Sequence, residues 1–525
     1  MNHIELFAGC GGLSLGLDSV GFELVMANEL SPMAAETFAY NFFGQNLAQN
    51  TVNDDKTKNK AVWLSSSYDY ASMPSRLRED PRTYPELGKG FCDISQGSDL
   101  KGNLVVGSIV ELNKWLEKNE KILSQLKTGF MPTGEVDLVS GGPPCQSFSM
   151  AGLRQLSNDR NILPWEFAKF VGMIKPKFAL LENVTGILRA FNHNGANFYA
   201  WFEVAKAFSE VGYIPVCLHI NARFAGVAQN RPRFILIGIR ADLYEPIIRS
   251  STTVEISILE RSKVFFDRIS AGETPEYGTL PCLDIVNKKD ISFFESTFLS
   301  PLLKKKSDFY TVKDAIDDLR AESGLFTSSY VDNINRIFGM EIEPKSILNH
   351  ELRRNGELVQ RRFRIYQILS SVTNDSKKEA KKVISGKSNE LSDSAYEELV
   401  AYDYLVGVGE YKKFSDKLEL IKYLNEHSTR KQTQKALVAS QPAPAALSIP
   451  DDACHYHHDE LRTLTVREMA RIQSFPDSFV FRSKVTTGGQ MRKFEVPQYT
   501  QVGNAVPPLL GRALGEVICN LIKKL

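Results

Sequence analysis

Through the first 240 residues, short apolar runs alternate with longer amphipathic segments. That alternation restricts the fold more than any other feature. His3 to Phe7 reads as a strand, Leu13 to Val20 as a helix, Phe22 to Ala27 as a second strand and Pro32 to Asn41 as a second helix. After a break the pattern resumes with strands at Asn103 to Val106, Val136 to Ser140, Phe178 to Leu181, Pro215 to Asn221 and Phe234 to Arg240. Helices are expected between them, over Val110 to Leu126, Asn161 to Ile174 and Phe198 to Val211. Repeated strand–helix units of this kind predict an α/β fold, a mostly parallel sheet with helices on both faces.

The break, about residues 44–100, is rich in Asn, Asp, Lys and Ser and reads as an insertion or long loop. After Asp242 the segments become short and irregular, with scattered Gly, Pro and basic runs, as far as about His455. Helical patterning returns at Leu464 and ends with a helix over Pro508 to Lys523. The expected organisation is a catalytic and cofactor-binding domain over 1–241, a second domain over 242–455, and a C-terminal segment over 456–525 that returns to the first. A chain of 525 residues is long enough for two or three cores.

No run of 18 apolar residues occurs, so no membrane span is expected. Met1 to Phe7 holds no charged segment followed by an apolar one, so no secretion signal is expected either. Seven scattered cysteines without a CxxC pair offer neither a zinc framework nor a disulfide one and fit a reducing cytoplasm. No metal is called for. A net charge of +1 neither points to nucleic acid nor excludes it, because local distribution decides. Basic runs stand at Lys304 to Lys306, Arg353–Arg354, Arg361 to Arg364 and Lys377 to Lys382.

Four sites carry chemistry. The first strand opens into Ala8-Gly9-Cys10-Gly11-Gly12, a turn that presents backbone amides at a helix N-terminus. Glu29 closes the second strand about twenty residues later, where a carboxylate accepts ribose hydroxyls. By itself this pair serves an NAD enzyme equally well. The second site is Gly141-Gly142-Pro143-Pro144-Cys145, directly after a strand. Two prolines stiffen the chain and hold the Cys145 thiol in place for nucleophilic work. The third is Glu182-Asn183-Val184 at the end of the neighbouring strand, on the edge where open α/β sheets bind ligands. The fourth is Gln229-Asn230-Arg231-Pro232-Arg233, whose alternation sets Gln229, Arg231 and Arg233 on one face, suited to anions or base edges.

Together these residues resemble the DNA (cytosine-5) methyltransferase family. Ile4 to Ser14 looks like its cofactor-binding opening, Gly141 to Ser149 its proline-cysteine motif, Glu182 to Val184 its glutamate motif, and Asn221 to Arg233 its Gln-x-Arg-x-Arg segment. Leu464 to Pro476 and Tyr499 to Pro508 resemble its last two motifs, and all six stand in the family's order. Thr311 to Ile316 also looks familial.

The resemblance implies a Rossmann-like S-adenosylmethionine-dependent sheet with a smaller target-recognition domain over 242–455. Cys145 is then the nucleophile toward C6 of a flipped cytosine, Glu182 acts at N3, Arg233 at O2, and Arg231 supports the loop. The loop from Gln146 to Arg160 closes over the base. S-adenosylmethionine is expected against Phe7, Gly9, Gly11, Leu13, Glu29, Leu30, Ser108, Ile109, Pro143, Leu163, Asn504 and Ala505. Ser108 departs from the family, which usually has Asp there; serine accepts a hydrogen bond more weakly, so weaker cofactor affinity is expected. Double-stranded DNA is the expected partner of a monomeric, cytoplasmic, nucleoid-associated enzyme, which acts either beside a cognate restriction endonuclease on the same site or as a solitary methylase. A first strand starting so near Met1 points, by resemblance, to a bacterial or archaeal member. A tRNA cytosine-5 methyltransferase is the alternative within the fold, but tRNA enzymes are compact, and about 210 residues separate Arg233 from Arg467. A catalytically silent homologue is opposed by the intact Cys145, Glu182 and Arg233. A general oxidoreductase leaves Pro143-Pro144-Cys145 unexplained.

Overall fold

The computed structural model describes residues 1–49, 59–144, 162–193, 196–322, 327–339, 347–428, 434–445 and 447–525. Its centre is a sheet of nine strands among the described residues: β1 (Asn2–Leu6), β2 (Glu23–Glu29), β3 (Ala61–Trp63), β4 (Asn103–Val106), β5 (Leu138–Gly141), β6 (Phe178–Val184), β7 (Tyr213–Asn221), β8 (Pro232–Arg240) and β9 (Cys282–Asp284). Their order across the sheet is β9-β7-β8-β6-β5-β1-β2-β4-β3. All pairings are parallel except those of β8, which runs antiparallel to both β6 and β7.

Side-chain alternation sends successive residues to opposite faces. Leu138 and Leu180 join one core, with helix α1 (Gly12–Asp18). Val139 and Leu181 join the other, with α3 (Ile109–Glu117), α5 (Leu163–Ile174) and α6 (Ala200–Glu210). The helix α2 (Pro32–Phe43) covers the β2–β4 edge, N-capped by Ser31 and ended by Gly44 at a φ of 65°. The expected helix over Val110 to Leu126 is two helices, α3 and α4 (Glu120–Lys127), broken around Asn119.

The stretch 44–100 is more than a loop. Its β3 forms the sheet's edge, and Trp63 is fully buried beneath it with Arg76 over the indole ring. A three-residue strand is too short to show alternation, which is why the sequence hides it. The stretch after Asp242 also enters the main body. The helix α7 (Thr253–Ser270), closed by a Thr252–Glu255 capping box, packs on β7, and β9 extends the sheet. Residues of α8 (Val312–Ile316) and α9 (Ser329–Phe338) belong to the same core as α1.

A separate core lies over residues 365–424, built by α10 (Glu357–Ser371), α11 (Asn374–Ile384), α12 (Asp393–Val400) and α13 (Lys417–Glu426). The chain then returns to the body through α14 (Val466–Ile472), α15 (Gln498–Asn504) and α16 (Pro508–Ile522). Where α16 crosses α1, Gly16 meets Gly511 so closely that a β-carbon on Gly16 would stand 2.4 Å from the Arg512 backbone nitrogen.

Candidate active site

Three strand ends meet at one edge of the sheet. β5 runs into Gly141 and Gly142, and a β-carbon at Gly141 would lie 2.3 Å from the Leu6 carbonyl oxygen, so this close approach of β1 and β5 requires glycine. At Gly142 the neighbour is the Glu182 carboxylate, 2.9 Å from where a β-carbon would stand. Asn183 donates its amide to the Pro143 carbonyl at 3.0 Å, which ties the proline turn to the end of β6. Pro144 is the last described residue before Cys145. Cys145 and the expected closing loop Gln146 to Arg160 lie outside the described residues.

Glu182 and Arg233 form an ion pair, Oε1 to Nε 2.6 Å, with side chains 11% and 10% exposed. The antiparallel register explains it. Glu182 stands opposite Ile235, and Arg233 sits two residues away on the same face of β8. Arg231, one alternation further, is 2% exposed and donates to the carbonyls of Gly503 and Ala505 at 2.9 and 3.0 Å. Burial, with Arg233 nearby, pulls its guanidinium below the usual arginine range, while Glu182 opposes this. Gln229, fully buried, donates to the Pro444 carbonyl at 3.1 Å, where residues 229–230 pair with 443–444. Gln229, Arg231 and Arg233 thus each have a separate partner.

The neighbouring turn after β1 has three consecutive odd positions at positive φ: Phe7 at 55°, Gly9 at 56° and Gly11 at 97°. The Gly9 amide donates to one Glu29 oxygen at 2.8 Å and the Ser31 amide to the other at 2.7 Å. Burial raises the Glu29 carboxyl, and these amides hold it back. Asn28 donates to the carbonyls of Val105 and Gly107, which fixes β4 and the start of α3 beside this turn. Ser108 stands at the N-cap of α3 without bonding the helix, so its hydroxyl is not spent on capping. Phe7 and Leu163 pack against the core that contains buried Ile109. From the other side, Val506 and Ala505 close on Gly12, where a β-carbon would meet the Val506 carbonyl at 2.3 Å. Leu30 is 43% exposed, Asn504 is exposed, and Leu13 is buried in the core.

This arrangement fits a nucleotide-like cofactor. Nothing lies within 4 Å of a β-carbon built on Gly9, so the turn opens on free space. A carboxylate with further acceptor capacity borders it, as ribose hydroxyls require.

Sequence reasoning left Glu5 and Ser14 unassigned. Glu5 is 2% exposed beneath the glycine turn and accepts a hydrogen bond from the Ser14 hydroxyl. Burial pushes its carboxyl up to about 8, against the Ser14 bond. An acidic residue inside an apolar strand was the available signal. Gln501 also does more than its motif announces. It bonds Thr37 and the carbonyls of Met33 and Val496, and so fastens α2 to the C-terminal segment. Helix α14 is anchored by Arg471, which meets Asp318 at 2.7 Å and Asp477 at 2.8 Å, both buried.

The fold and the paired acid–base edge define a nucleotide-cofactor enzyme of the open α/β kind. The family model for C-5 cytosine-specific DNA methylases matches residues 1–68 and 111–520. The type II methyltransferase M.DdeI of Desulfomicrobium norvegicum is 26% identical over 524 residues, 99% of this chain and 88% of that protein. M1.HphI of Haemophilus parahaemolyticus, also a type II methyltransferase, is 25% identical over 525 residues, 99% and 87% of the two chains. M.NgoPII of Neisseria gonorrhoeae reaches 31% identity over 244 residues, 46% of this chain and 49% of that one. The chain belongs to the C-5 cytosine-specific DNA methylases. It is a DNA (cytosine-5) methyltransferase with DNA as substrate and S-adenosylmethionine as methyl donor.

Proposed function

We propose that Cys145 adds through its thiolate to C6 of a cytosine turned out of duplex DNA, with Glu182 at N3 and Arg233 at O2. The observation that carries this reading is the Glu182–Arg233 pair beside Gly142, three residues before Cys145. Addition at C6 converts the ring to an enamine, and C5 becomes nucleophilic. Glu182 stabilises the charge that gathers toward N3. C5 then forms its bond to the methyl group, the C5 proton leaves to water or hydroxide, and β-elimination frees the Cys145 thiolate. S-adenosylmethionine, when bound, would supply that methyl from its sulfonium, the methyl carbon–sulfur bond breaking with its electron pair left on sulfur as a neutral thioether.

Glu29 orients the ribose, with the amides of the Phe7 to Leu13 turn beside it. Leu30 and Ile109 flank the adenine, and Ser108 accepts from its amino group. Pro143, Leu163, Asn504 and Ala505 border the methionine end. Arg231 is a positioning residue: its two bonds to Gly503 and Ala505 hold the segment that closes the pocket.

Target reading falls to the helical unit around residues 357–428, which has a core of its own over residues 365–424. The type II names of the relatives aligned over the whole chain support a modification enzyme of a restriction–modification pair. No single helix among the described residues is long and apolar enough to cross a membrane.

The test is Cys145→Ala. Labelled methyl transfer to duplex DNA is expected to vanish while cofactor binding, read by calorimetry, persists. Transfer at the wild-type rate sinks the assignment.

A further inference from the structure

Between the main body and the helical unit lies a cavity of about 410 Å³. Lys313 and Arg320, in and just after α8, form one wall. Arg364 and Gln367, on α10, form the other, with His457 and His458 at the rim. The walls are fixed. Gln367 is 4% exposed and donates to the carbonyls of His455 and His457, at 3.1 and 2.6 Å. Arg364 uses its Nε on the Asp403 carbonyl at 2.8 Å, which aims the rest of the guanidinium.

The charge in this cavity is one-sided. Three cations, Lys313, Arg320 and Arg364, face one carboxylate, Asp317, and that carboxylate is already bonded to Arg320 and the Tyr456 hydroxyl. Three minus one leaves two positive charges before either histidine is counted. No carboxylate lies within ion-pair distance of Lys313 or Arg364 among the described residues. Lys313 and Arg364, held at one cavity on fixed walls with Arg320 beside them, suit an anion with several acceptor oxygens.

The position says which anion. The Lys313 amide donates to Ala439, a cavity residue, and Val312 to Gln441. Four residues further, Ala443 and Pro444 pair with Gln229 and Asn230, which lead through Arg231 into β8 and its Arg233. Four extended residues span at most about 14 Å. A duplex that delivers its cytosine to Glu182 carries a phosphate for about every 1.7 Å of axis, so its backbone passes within reach of this cavity.

We propose that the cavity is a seat for a backbone phosphate of the DNA, bridged by Lys313 from the body and Arg364 from the helical unit. The contact sets the unit that reads the sequence at a defined position over the unit that performs the chemistry. It carries no base information itself. The inference rests on DNA being the substrate and adds a role for Lys313 and Arg364 together, which lie in separate stretches of the sequence.

The test is anisotropy titration of a labelled duplex of arbitrary sequence with the full chain, from 0.1 to 1 M salt. Lys313→Gln and Arg364→Gln are each expected to flatten the plot of log affinity against log salt by about one. At about 0.9 of an ion per contact, each loss weakens binding about eightfold at 0.1 M and leaves it unchanged at 1 M. Lys378→Gln, at an exposed lysine paired with Asp375, is expected to match wild type. Arg364→Lys keeps the charge and is expected to keep the slope. Should Arg364→Gln not fold, as cofactor calorimetry would reveal, Lys313→Gln and Arg364→Lys decide. Wild-type slopes in Lys313→Gln overturn the proposal. So does tight binding of inorganic phosphate that leaves DNA affinity indifferent to both residues. Methyl transfer at low salt and saturating DNA continues in either case, so failure here is distinct from failure of the catalytic reading.

Discussion

Glu5 gives the sharpest quantitative prediction. Its carboxyl is buried under the cofactor turn and held protonated, from an ordinary 4.5 up to about 8, with Ser14 as its hydrogen-bond donor. Between those two values the folded chain keeps a proton that the unfolded chain has released. The stabilisation is therefore complete below about pH 4.5 and is lost as pH rises toward 8. At about 1.4 kcal/mol per pH unit of displacement, the loss between pH 5.5 and 8.5 is about 3 kcal/mol. Against a total of about 5–15 kcal/mol, this is easily measured. Glu5→Gln keeps the shape and an acceptor for Ser14 but has no proton to lose. Urea denaturation of both proteins across that pH range is the assay. The variant is expected to gain about 3 kcal/mol on wild type from the acid to the alkaline end. His3, held near 3, and His455, held near 4, destabilise the fold as pH falls below their ordinary range, but both proteins contain them, so they cancel. Parallel curves for the two proteins refute a protonated Glu5.

Other outcomes follow from the packing and the site. Arg471→Ala leaves Asp318 and Asp477 without their shared cation, and a loss of about 3–5 kcal/mol is expected, read as a lower melting temperature. Gly16→Ala drives a methyl group into the backbone of Gly511 and Arg512, where neither wall is a movable side-chain end. A cost of about 1–3 kcal/mol is expected, read by the same melt. Glu182→Gln keeps the volume beside Gly142 but loses the charge, and single-turnover methyl transfer is expected to fall about 10²–10⁴-fold with cofactor affinity intact.

The sheet was legible because its strands are long, apolar and each followed by a helix. The glycine turn, Glu29, Glu182 and the two arginines could be placed at one edge from strand order alone, and the structure sets Glu182 on Arg233 and Glu29 on Gly9. What stayed hidden depended on distant partners. Three residues of β3 carry no period, and only their pairing with β4 makes them a strand. The segment from α7 to α9 looked like the start of a second domain, because its apolar residues follow no long repeat; its core partners are β7 and α16, far away in the chain. By residue type Arg231 suits anions or base edges, and by resemblance it supports the loop; its partners, the carbonyls of Gly503 and Ala505 some 270 residues on, are announced by no local pattern. The cavity between Lys313 and Arg364 has the same character: Lys313 stands in the Thr311 to Ile316 segment and Arg364 in a separate basic run, and no local pattern brings the two together.

The central claim is a covalent bond between Cys145 and C6 of a cytosine in DNA. It is tested most directly by incubating the enzyme and S-adenosylmethionine with a duplex whose target cytosines carry fluorine at C5. Fluorine cannot leave as the proton does, so elimination is blocked and the adduct accumulates. The account predicts a denaturant-resistant protein–DNA complex with wild type, peptide mapping of the link to Cys145, and none with Cys145→Ala. A complex that survives in Cys145→Ala, or a link mapped to another residue, contradicts it.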